Sequence, residues 1–443
     1  MNITVIGAGK SGIAAALLAK QDGNSVFVTE SKEQSAYQGA YEQLGESSID
    51  VEFGGHSSKA LQNCKQIIVS PGVPPSSPII KEAEFLGIPI ISELEFASLH
   101  TTNPIISITG TNGKTTTTAL TEFILKQSGK AAIAAGNIGI PLSSLVGKVS
   151  PETIFVVETS SYQLDRTYTF KPKVSVILNI TPDHLAYHGT MENYCKAKWK
   201  TSQNQNADDL LILNADNFEA AACSKISKAH VAYISTKPLQ QGAYTSQSHL
   251  ILASHPHNEE VLMQLDEIRL PGVHNRYNSM AAILAARAFE VRNENIRDSL
   301  MQFSGVEHRL EFVRSLNSIN YVNDSKATNI NAAWYALSSY SSPIVWIAGG
   351  LGDNNDYTSL KELIASNVRS IIAIGEDKEK IFDMYCSKIR CVKANSLEDA
   401  VSLASKEAKS GDTILFSPAC KSFDMFANYE HRGLVFKKAV MSL

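Results

Sequence analysis

The sequence has little of what marks secreted, zinc-binding, nucleic-acid-binding or membrane-spanning proteins. Its six cysteines are scattered over 443 residues and form no Cys-x-x-Cys pair, which argues against a disulfide scaffold and a zinc site. No apolar run reaches the roughly 18–20 residues that cross a bilayer. The 40 Lys and Arg nearly balance the 44 Asp and Glu, without the basic excess of a nucleic-acid-binding surface. We therefore expect neither a membrane span nor a nucleic-acid partner.

The first residues read as a β-strand from the start. Met1–Gly7 contains no charged leader followed by an apolar segment and a cleavage site, the three parts of a secretory signal peptide. Together with the scattered cysteines, this pattern predicts a cytoplasmic protein with reduced thiols.

Short runs rich in Ile and Val alternate with helix-length segments along the whole chain. They are Ile3–Ile6, Ser25–Val28, Gln66–Val69, Ile105–Ile108, Ile154–Val157, Val174–Leu178, Ile344–Ile347, Ile371–Ile374 and Thr413–Phe416. Continuous apolar strands between helices predict parallel sheets covered on both faces, and hence an α/β fold.

The length and the polar breaks near 100–104 and 302–307 predict three domains. We expect a Rossmann-like parallel sheet at 1–100, a P-loop ATPase-like α/β domain at 101–304 and a Rossmann-like α/β domain at 305–443. Residues 235–265 read as antiparallel strands or loops added to the central domain, followed by an Ala-rich helix at Ser279–Val291.

The strongest motif is a glycine-rich turn between a strand and a helix. Gly110 and Gly113 are followed by Lys114 and Thr115. The backbone N–H groups of such a turn bind phosphate, the lysine reaches the β- and γ-phosphates, and the hydroxyl ligates Mg²⁺. The common P-loop has a further glycine where this chain has Ile108. The motif predicts an ATP or GTP site.

Three other residues have both a functional and a structural interpretation. Glu158 ends an apolar strand and could bind a metal or cap a helix. A single histidine such as His184 is more often packed than ligating, and Lys198 cannot be distinguished from its neighbours Lys196 and Lys200. Their roles stay open on the residues alone.

Two asparagines near the start of the Ala-rich helix share one helical face. Asn275 and Asn278 are three residues apart, and an amide side chain can pair with the N6/N7 edge of adenine. A helix N-cap would account for one of them but not for both.

A second glycine-rich turn lies at the N-terminus. Gly7-Ala-Gly-Lys-Ser-Gly12 follows a strand and precedes a helix, and Glu30 ends the next strand. This pattern is a dinucleotide fingerprint, although many open sheets use the same turn for other nucleotides. An NAD-dependent oxidoreductase therefore remains an alternative.

Six segments together resemble the Mur ligase family, whose members form amide bonds at the expense of ATP. The segments are Gly110–Thr115, Glu158–Leu164, Asn179–Leu185, Leu270–Asn278, Asn323–Asn329 and Ser417–Gly433. The last two are similar to those of the D-glutamate-adding members. The resemblance implies ATP, two Mg²⁺ ions, UDP-N-acetylmuramoyl-L-alanine and D-glutamate as ligands of an enzyme of peptidoglycan precursor synthesis, which we expect to be a monomer.

The same resemblance implies residue roles, domain by domain. At 1–100 and in the central domain, the UDP substrate would be bound by Lys10, Ser11, Glu30, Ser31, Lys32, Ser70, Gly72 and Asn137. ATP would be bound by Gly110, Thr111, Asn112, Gly113, Lys114, Thr115, Thr116, Asn275, Asn278, Arg309 and Asp324. The amino acid would be bound in the last domain by Thr328, Lys421, Ser422, Phe423 and Tyr429.

The implied metal ligands are Thr115, Glu158, His184 and Lys198, and the implied catalytic residues are Lys114, His184, Lys198, Arg309 and Lys326. Lys198 matches a lysine that the family carbamylates, and addition of CO₂ to a neutral amine creates an anionic oxygen ligand suited to Mg²⁺. This chemistry requires a lysine whose pKa is lowered by burial or by neighbouring cations.

One position departs from the family pattern. Asp353 stands where the D-glutamate-adding members usually carry a lysine that pairs with a substrate carboxylate, and Lys421 stands where a small residue is more usual. Three interpretations are open: another cation replaces the lost one, the loop has a shifted register, or the ligase adds a different amino acid. We expect Lys421 to supply the charge. A regulatory nucleotide-binding module without catalysis would have no reason to combine Glu158, His184, Lys198 and Lys326.

Overall fold

The computed structural model describes residues 1–137, 139–254, 258–270, 272–340, 342–352 and 355–443. The chain divides into two compact units. The first comprises Met1–Arg269 and His274–Phe303, and the second comprises Leu270–Val273 and Ser304–Leu443. No helix in the described residues is long and apolar enough to cross a membrane.

The first unit begins with a parallel sheet. Its strands are β1 (Asn2–Ile6), β2 (Ser25–Thr29), β3 (Asp50–Glu52), β4 (Gln66–Val69) and β5 (Ile90–Ser92). They are ordered β3-β2-β1-β4-β5. The helices of this region are α1 (Lys10–Gln21), α2 (Gln38–Glu46), α3 (Pro78–Phe85) and α4 (Glu93–Leu99). The order reverses at β1, so the glycine turn after β1 lies at a switch point, where open α/β sheets bind ligands.

A larger mixed sheet follows in the same unit. Its strands are β6 (Ile105–Thr109), β7 (Ala132–Gly136), β8 (Ile154–Glu158), β9 (Val174–Ile177), β10 (Leu210–Asn214), β11 (His230–Ser235), β12 (Gly242–Ser246), β13 (His249–Ser254) and β14 (Asn258–Gln264). They are ordered β14-β13-β12-β11-β10-β9-β6-β8-β7. The pairs β12–β13 and β13–β14 are antiparallel, which confirms the antiparallel addition expected at 235–265.

The helices around this sheet are α5 (Lys114–Gln127), α6 (Ser161–Asp165), α7 (Leu185–His188), α8 (Met191–Trp199), α9 (Phe218–Ala221), α10 (Val273–Arg287) and α11 (Asn293–Gln302). The Ala-rich helix α10 begins earlier than Ser279 and ends before Val291, so the predicted bounds were wrong. The helix ends because Glu290 adopts φ of 61°, a left-handed conformation that a right-handed helix cannot continue.

The two sheets of the first unit share one apolar core. This core contains Val5 of β1 and Ala16 of α1 together with Phe96, Leu142 and Phe155 from beyond the first sheet. The first sheet therefore packs on the second through buried side chains.

The second unit contains its own sheet. Its strands are β15 (Glu311–Leu316), β16 (Ile319–Asn323), β17 (Ile344–Gly349), β18 (Val368–Ile374), β19 (Arg390–Lys393) and β20 (Thr413–Phe416). They are ordered β15-β16-β20-β17-β18-β19, and β15 is antiparallel to β16 while the other pairs are parallel. The helices are α12 (Ile330–Ser338), α13 (Lys361–Asn367), α14 (Lys378–Tyr385), α15 (Leu397–Glu407) and α16 (Tyr429–Met441).

The α/β class and the parallel sheets are confirmed. Each predicted apolar run lies within or overlaps a strand, because continuous Ile and Val side chains suit strands buried on both faces. The domain limits at 100 and 304 stay a prediction.

Candidate active site

The turn after β6 has the geometry of a phosphate-binding loop. Gly113 begins α5 with φ of 88°, and a Cβ at this position would lie 2.3 Å from Oδ1 of Asn278. Asn179 supports the turn from the opposite side, since its Oδ1 accepts from the N–H of Asn112 at 2.9 Å and its Nδ2 donates to the Asn112 carbonyl at 3.1 Å. The loop is thus held in shape by two asparagines.

Two lysines meet on the carbonyl oxygen of Gly110. The Nζ of Lys114 donates to the carbonyls of Gly110 and Thr111 at 2.9 and 2.8 Å. The Nζ of Lys198, which comes from α8, donates to the same Gly110 oxygen at 2.9 Å. The ammonium charge of Lys114 makes the loop electropositive, as the binding of a polyphosphate requires.

Lys198 differs from its neighbours in burial. Its side chain is 1% exposed, and its Nζ lies 4.8 Å from the centroid of the Tyr194 ring. Burial, reinforced by the charge of Lys114, lowers the pKa of Lys198 well below its ordinary value. Lys196 is exposed and pairs with Glu192 on the helix surface, and Lys200 donates to the Asp165 carbonyl.

Side chains that can ligate a metal ion through oxygen or nitrogen lie around this loop. Glu158, 2% exposed at the end of β8, accepts from Nδ2 of Asn137 at 3.0 Å. Burial lowers the pKa of His184, opposed by the charge of Asp183 and reinforced by those of Lys114 and Lys198. The predicted ligand Thr115 lies in the first turn of α5.

The aromatic ring of Tyr162 packs on His184, with the ring centroids 4.9 Å apart. Tyr194 connects the same region to the phosphate loop, because its hydroxyl lies 3.0 Å from that of Thr111. The roles of Asn179 and Tyr194 were not predicted from the sequence, although Asn179 opens one of the six segments.

The asparagine pair on α10 contacts the phosphate loop. Asn275 and Asn278 are both buried. The Oδ1 of Asn278 accepts from the hydroxyl of Thr117 at 3.2 Å, and its Nδ2 donates to Oδ1 of Asn275 at 2.9 Å. Both polar atoms of the Asn278 amide are thus hydrogen-bonded to other side chains, and its Oδ1 lies against Gly113.

Except for Asn137, which follows β7 of the second sheet, the residues predicted to bind the UDP substrate come together at the carboxyl edge of the first sheet. Oε2 of Glu30 accepts from the Ala8 N–H at 2.9 Å, and Oε1 accepts from the Lys32 N–H at 3.0 Å and from the Ser31 hydroxyl at 3.2 Å. The hydroxyl of Ser70 donates to the Gly7 carbonyl at 3.3 Å. Exposed at this edge are Lys10, Ser31, Lys32 and Gly72, and Ser11 is half-buried.

In the second unit, a buried carboxylate lies between a strand end and two cations. Oδ1 of Asp324 accepts from the Leu310 N–H at 3.2 Å, and Oδ2 accepts from the Ser417 hydroxyl at 2.8 Å. Burial raises the pKa of Asp324 to about 6, against the opposing charges of Arg309 and Lys326. These three predicted site residues therefore share one environment.

The residues predicted to bind the amino acid differ in exposure. Ser422 is buried, Phe423 is exposed, and Thr328 and Tyr429 are half-buried. The Nζ of Lys326 lies 5.7 Å from the centroid of the Tyr429 ring.

The backbone of Lys421 pairs with that of Leu351. Lys421 N–H donates to the Leu351 carbonyl at 3.1 Å, and Leu351 N–H donates to the Lys421 carbonyl at 3.0 Å. Asp353 lies outside the described residues. Leu351, two residues before Asp353, is hydrogen-bonded through its backbone to Lys421.

One group of side chains in the second unit has metal-ligand spacing, namely Glu307, His308 and Glu311. The ammonium group of Lys437 lies 2.9 Å from Glu307 and 2.6 Å from Glu311. Because one ammonium group already pairs with both carboxylates, we assign this cluster a structural role.

Comparison with known proteins gives three family matches in chain order. Residues 1–92 match the MurD-like N-terminal domain, residues 108–286 the Mur ligase middle domain, and residues 308–420 the Mur ligase glutamate ligase domain. The chain is 43% identical to the UDP-N-acetylmuramoylalanine–D-glutamate ligase of Salinibacter ruber, covering 99% of this chain and 97% of that protein. It is 41% identical to the ligase of the same name from Porphyromonas gingivalis W83, covering 100% and 99%.

Solved structures share the fold at lower identity. The UDP-N-acetylmuramate-alanine ligase MurC of Thermotoga maritima aligns with a TM-score of 0.61 at 18% identity, covering 100% of this chain and 99% of that one. E. coli FolC, in complex with DHPP and ADP, aligns with a TM-score of 0.61 at 16% identity, covering 84% and 99%.

Proposed function

The chain belongs to the Mur ligase family, and we infer that it is the ATP-dependent ligase that joins D-glutamate to UDP-N-acetylmuramoyl-L-alanine in peptidoglycan precursor synthesis. In this reaction ATP phosphorylates the alanyl carboxylate to an acyl phosphate. The amine of D-glutamate then attacks the acyl carbon, and phosphate leaves from the tetrahedral intermediate. The full-length relatives named as this ligase argue against the NAD-dependent oxidoreductase that Gly7–Gly12 left open.

The observation that carries this proposal within the structure is the convergence of Lys114 and Lys198 on the phosphate loop. Phosphoryl transfer needs little covalent chemistry from side chains, because positioning and charge stabilisation provide most of the catalysis. Lys114 would hold the β- and γ-phosphates. Asn179 and Asn278 would keep the loop in the shape that receives them.

The donors around the loop fit Mg²⁺. Glu158 offers a carboxylate oxygen, Thr115 a hydroxyl and His184 a ring nitrogen. The buried amine of Lys198, with its lowered pKa, fits the neutral lysine that carbamylation requires. Bound Mg²⁺ would neutralise the phosphate charge that accumulates in the transition state. We propose two ions, with Thr115 and Glu158 toward one, and His184 and carbamylated Lys198 toward the other.

The remaining assignments follow the family. We propose that Lys10, Ser11, Glu30, Ser31, Lys32, Ser70 and Gly72 bind the UDP portion and that Asn137 contacts the muramoyl portion. We propose that Arg309, Asp324 and Lys326 act on ATP and on the transferred phosphate. The amino acid would contact Thr328, Lys421, Ser422, Phe423 and Tyr429.

We further propose domains at 1–100, 101–304 and 305–443 that bind the UDP substrate, ATP and the amino acid respectively. We also propose that the enzyme acts in the cytoplasm as a monomer.

The deciding experiment measures phosphate release by the purified protein with ATP and Mg²⁺. Release should require UDP-N-acetylmuramoyl-L-alanine and D-glutamate together. Release without an amino acid would contradict the ligase assignment. Because Asp353 stands in place of the usual lysine, a panel of amino acids should be compared as substrates side by side. A preference for an amino acid other than D-glutamate would change the assigned substrate but not the assignment as a ligase.

A further inference from the structure

Two buried glutamates of α4 join the first sheet to the second, and neither belongs to the proposed site. Glu93 is 1% exposed and Glu95 is 2% exposed. Both lie in the first turn of α4, which follows directly from β5, an edge strand of the first sheet. Buried carboxylates are rare unless they are paired or hydrogen-bonded, so their partners indicate what they do.

Glu95 accepts hydrogen bonds from the segment that precedes β9. Its Oε1 accepts from the N–H and the hydroxyl of Thr169 at 2.7 and 2.6 Å, and its Oε2 accepts from the Phe170 N–H at 3.0 Å. These bonds use both carboxylate oxygens. Beside them, the Ser92 N–H donates to the Arg166 carbonyl at 3.0 Å.

Glu93 binds the second sheet at another point. Its Oε1 accepts from the Ser143 N–H at 2.7 Å, within the 3-10 turn Leu142–Ser144 that lies between β7 and β8. Burial raises the pKa of Glu93. Among the described residues, the hydrogen bond of Glu93 comes from the Ser143 N–H, and its Oε2 and the nearby Ser143 hydroxyl are buried without a hydrogen-bond partner.

The turn bound by Glu93 ends a loop that begins at the proposed site. The loop starts at Asn137, whose N–H donates to the Glu158 carbonyl at 2.8 Å and whose Nδ2 donates to the Glu158 carboxylate at 3.0 Å. Asn137 is therefore held by a proposed metal ligand, and the turn Leu142–Ser144 is held by Glu93 of α4. The apolar core shared by the two sheets lies beneath this connection.

We propose that Glu93 and Glu95 are positioning residues that set the distance between the UDP-binding edge of the first sheet and the phosphate loop of the second. This rests on the proposed function, in which one substrate molecule reaches from the first edge to the second. A substrate held at its UDP end delivers its alanyl carboxylate to the γ-phosphate only if that span is constant. Misplacement by about 1 Å can cost ~10²-fold in rate.

The chain offers a matched control across the same junction. Glu84 of α3 forms an ion pair with Arg166 at 2.7 Å, and the Glu84 side chain is 48% exposed. The Arg166 side chain is 17% exposed, so this pair is exposed on the Glu84 side. Glu84→Gln removes the charge of the pair between the same two layers and keeps an amide oxygen that can accept from Arg166, so the guanidinium does not lose its acceptor.

Steady-state kinetics provide the first test. Glu95→Ala should lower kcat/KM for UDP-N-acetylmuramoyl-L-alanine by ~10²-fold, while the KM for ATP and the affinity for UDP alone stay at wild-type values. Glu93→Ala should act in the same direction, and Glu93→Gln should recover most of the activity because its amide oxygen can still accept from Ser143. Glu84→Gln should behave as wild type.

Amide hydrogen exchange on the full chain distinguishes positioning from general destabilisation. In Glu95→Ala, exchange should accelerate at Thr169 and Phe170, and in Glu93→Ala at Leu142–Ser144, with β1 and β6 still protected in both. Acceleration throughout the unit, loss of ATP affinity in parallel with kcat, or an equal loss in Glu84→Gln would overturn the proposal. If the wild type does not ligate UDP-N-acetylmuramoyl-L-alanine, the proposed function fails. Unchanged amide exchange in both Glu93→Ala and Glu95→Ala would separately refute the positioning role of the two glutamates.

Discussion

Lys114 and Lys198 donate to one and the same oxygen, the carbonyl of Gly110, at 2.9 Å each. Two ammonium groups on one acceptor repel each other, and the repulsion is strongest for the buried one. Lys198 is the buried partner, so the geometry favours its neutral form. A neutral Lys198 beside a charged Lys114 is the arrangement that carbamylation and phosphate binding both need.

Lys114→Ala should reduce ATP-dependent ligation by ~10²-fold or more, because the phosphates lose a fixed cation in a preorganised site. The measurement is phosphate release under saturating substrates. Lys126→Ala, at the exposed end of the same helix, is the control and should retain full activity. Near-normal turnover of Lys114→Ala would mean that the phosphate loop has another function.

Lys198→Ala should be nearly inactive and should recover partly when a small carboxylic acid is added. The reason is that Lys198 would act as a carbamate oxygen donor and not as a cation. Lys196→Ala, on the exposed face of α8, should retain wild-type activity. A substrate-bound crystal structure with an unmodified Lys198 would contradict this prediction.

The lowered pKa of Lys198 predicts a pH dependence of stability. The unfolded lysine titrates near 10.4, so between the folded and unfolded pKa values the unfolded chain binds more protons. The free energy of unfolding should therefore fall as the pH falls toward the folded pKa. Urea unfolding between pH 9 and 6, measured without CO₂, should show a smaller change of the free energy of unfolding with pH in Lys198→Met than in the wild type. The same pH dependence in both proteins would refute the effect of burial on the Lys198 pKa.

Asp324 predicts the opposite trend in the second unit. Because burial raises its pKa to about 6, the folded state binds more protons than the unfolded state between about pH 4 and 6. Its contribution to stability is present at low pH and declines as the pH rises through this range. Asp324→Asn should remove that decline in denaturant titrations at pH 5 and 7, whereas the exposed Asp298→Asn should leave it.

Lys421 should carry the charge that binds a D-glutamate carboxylate, because its backbone pairs with Leu351 in the turn that leads to Asp353. Lys421→Ala should raise the KM for D-glutamate while sparing that for ATP. The swap Asp353→Lys with Lys421→Ala should restore binding. An unchanged D-glutamate KM in Lys421→Ala would show that compensation does not occur.

The sequence predicted the strands well because each is an uninterrupted apolar run between polar turns. It predicted the helix at Ser279–Val291 less well, since its ends depend on local backbone conformations such as that of Glu290. It also predicted that Asn275 and Asn278 bind ATP, which stays a prediction. The sequence did not show that the Asn278 amide accepts from Thr117 beside Gly113, a contact between segments 161 residues apart.

What the sequence determined by itself is the chemistry of the chain, namely the α/β alternation, the phosphate loop and the ordered motifs of a ligase family. Each of these features depends on residues that are close together in the sequence. Tertiary structure alone decided which of Lys196, Lys198 and Lys200 is buried against Gly110. It also decided that Glu93 and Glu95 join two sheets. Burial and charge proximity arise from contacts between distant segments, and a one-dimensional pattern of residues does not contain them.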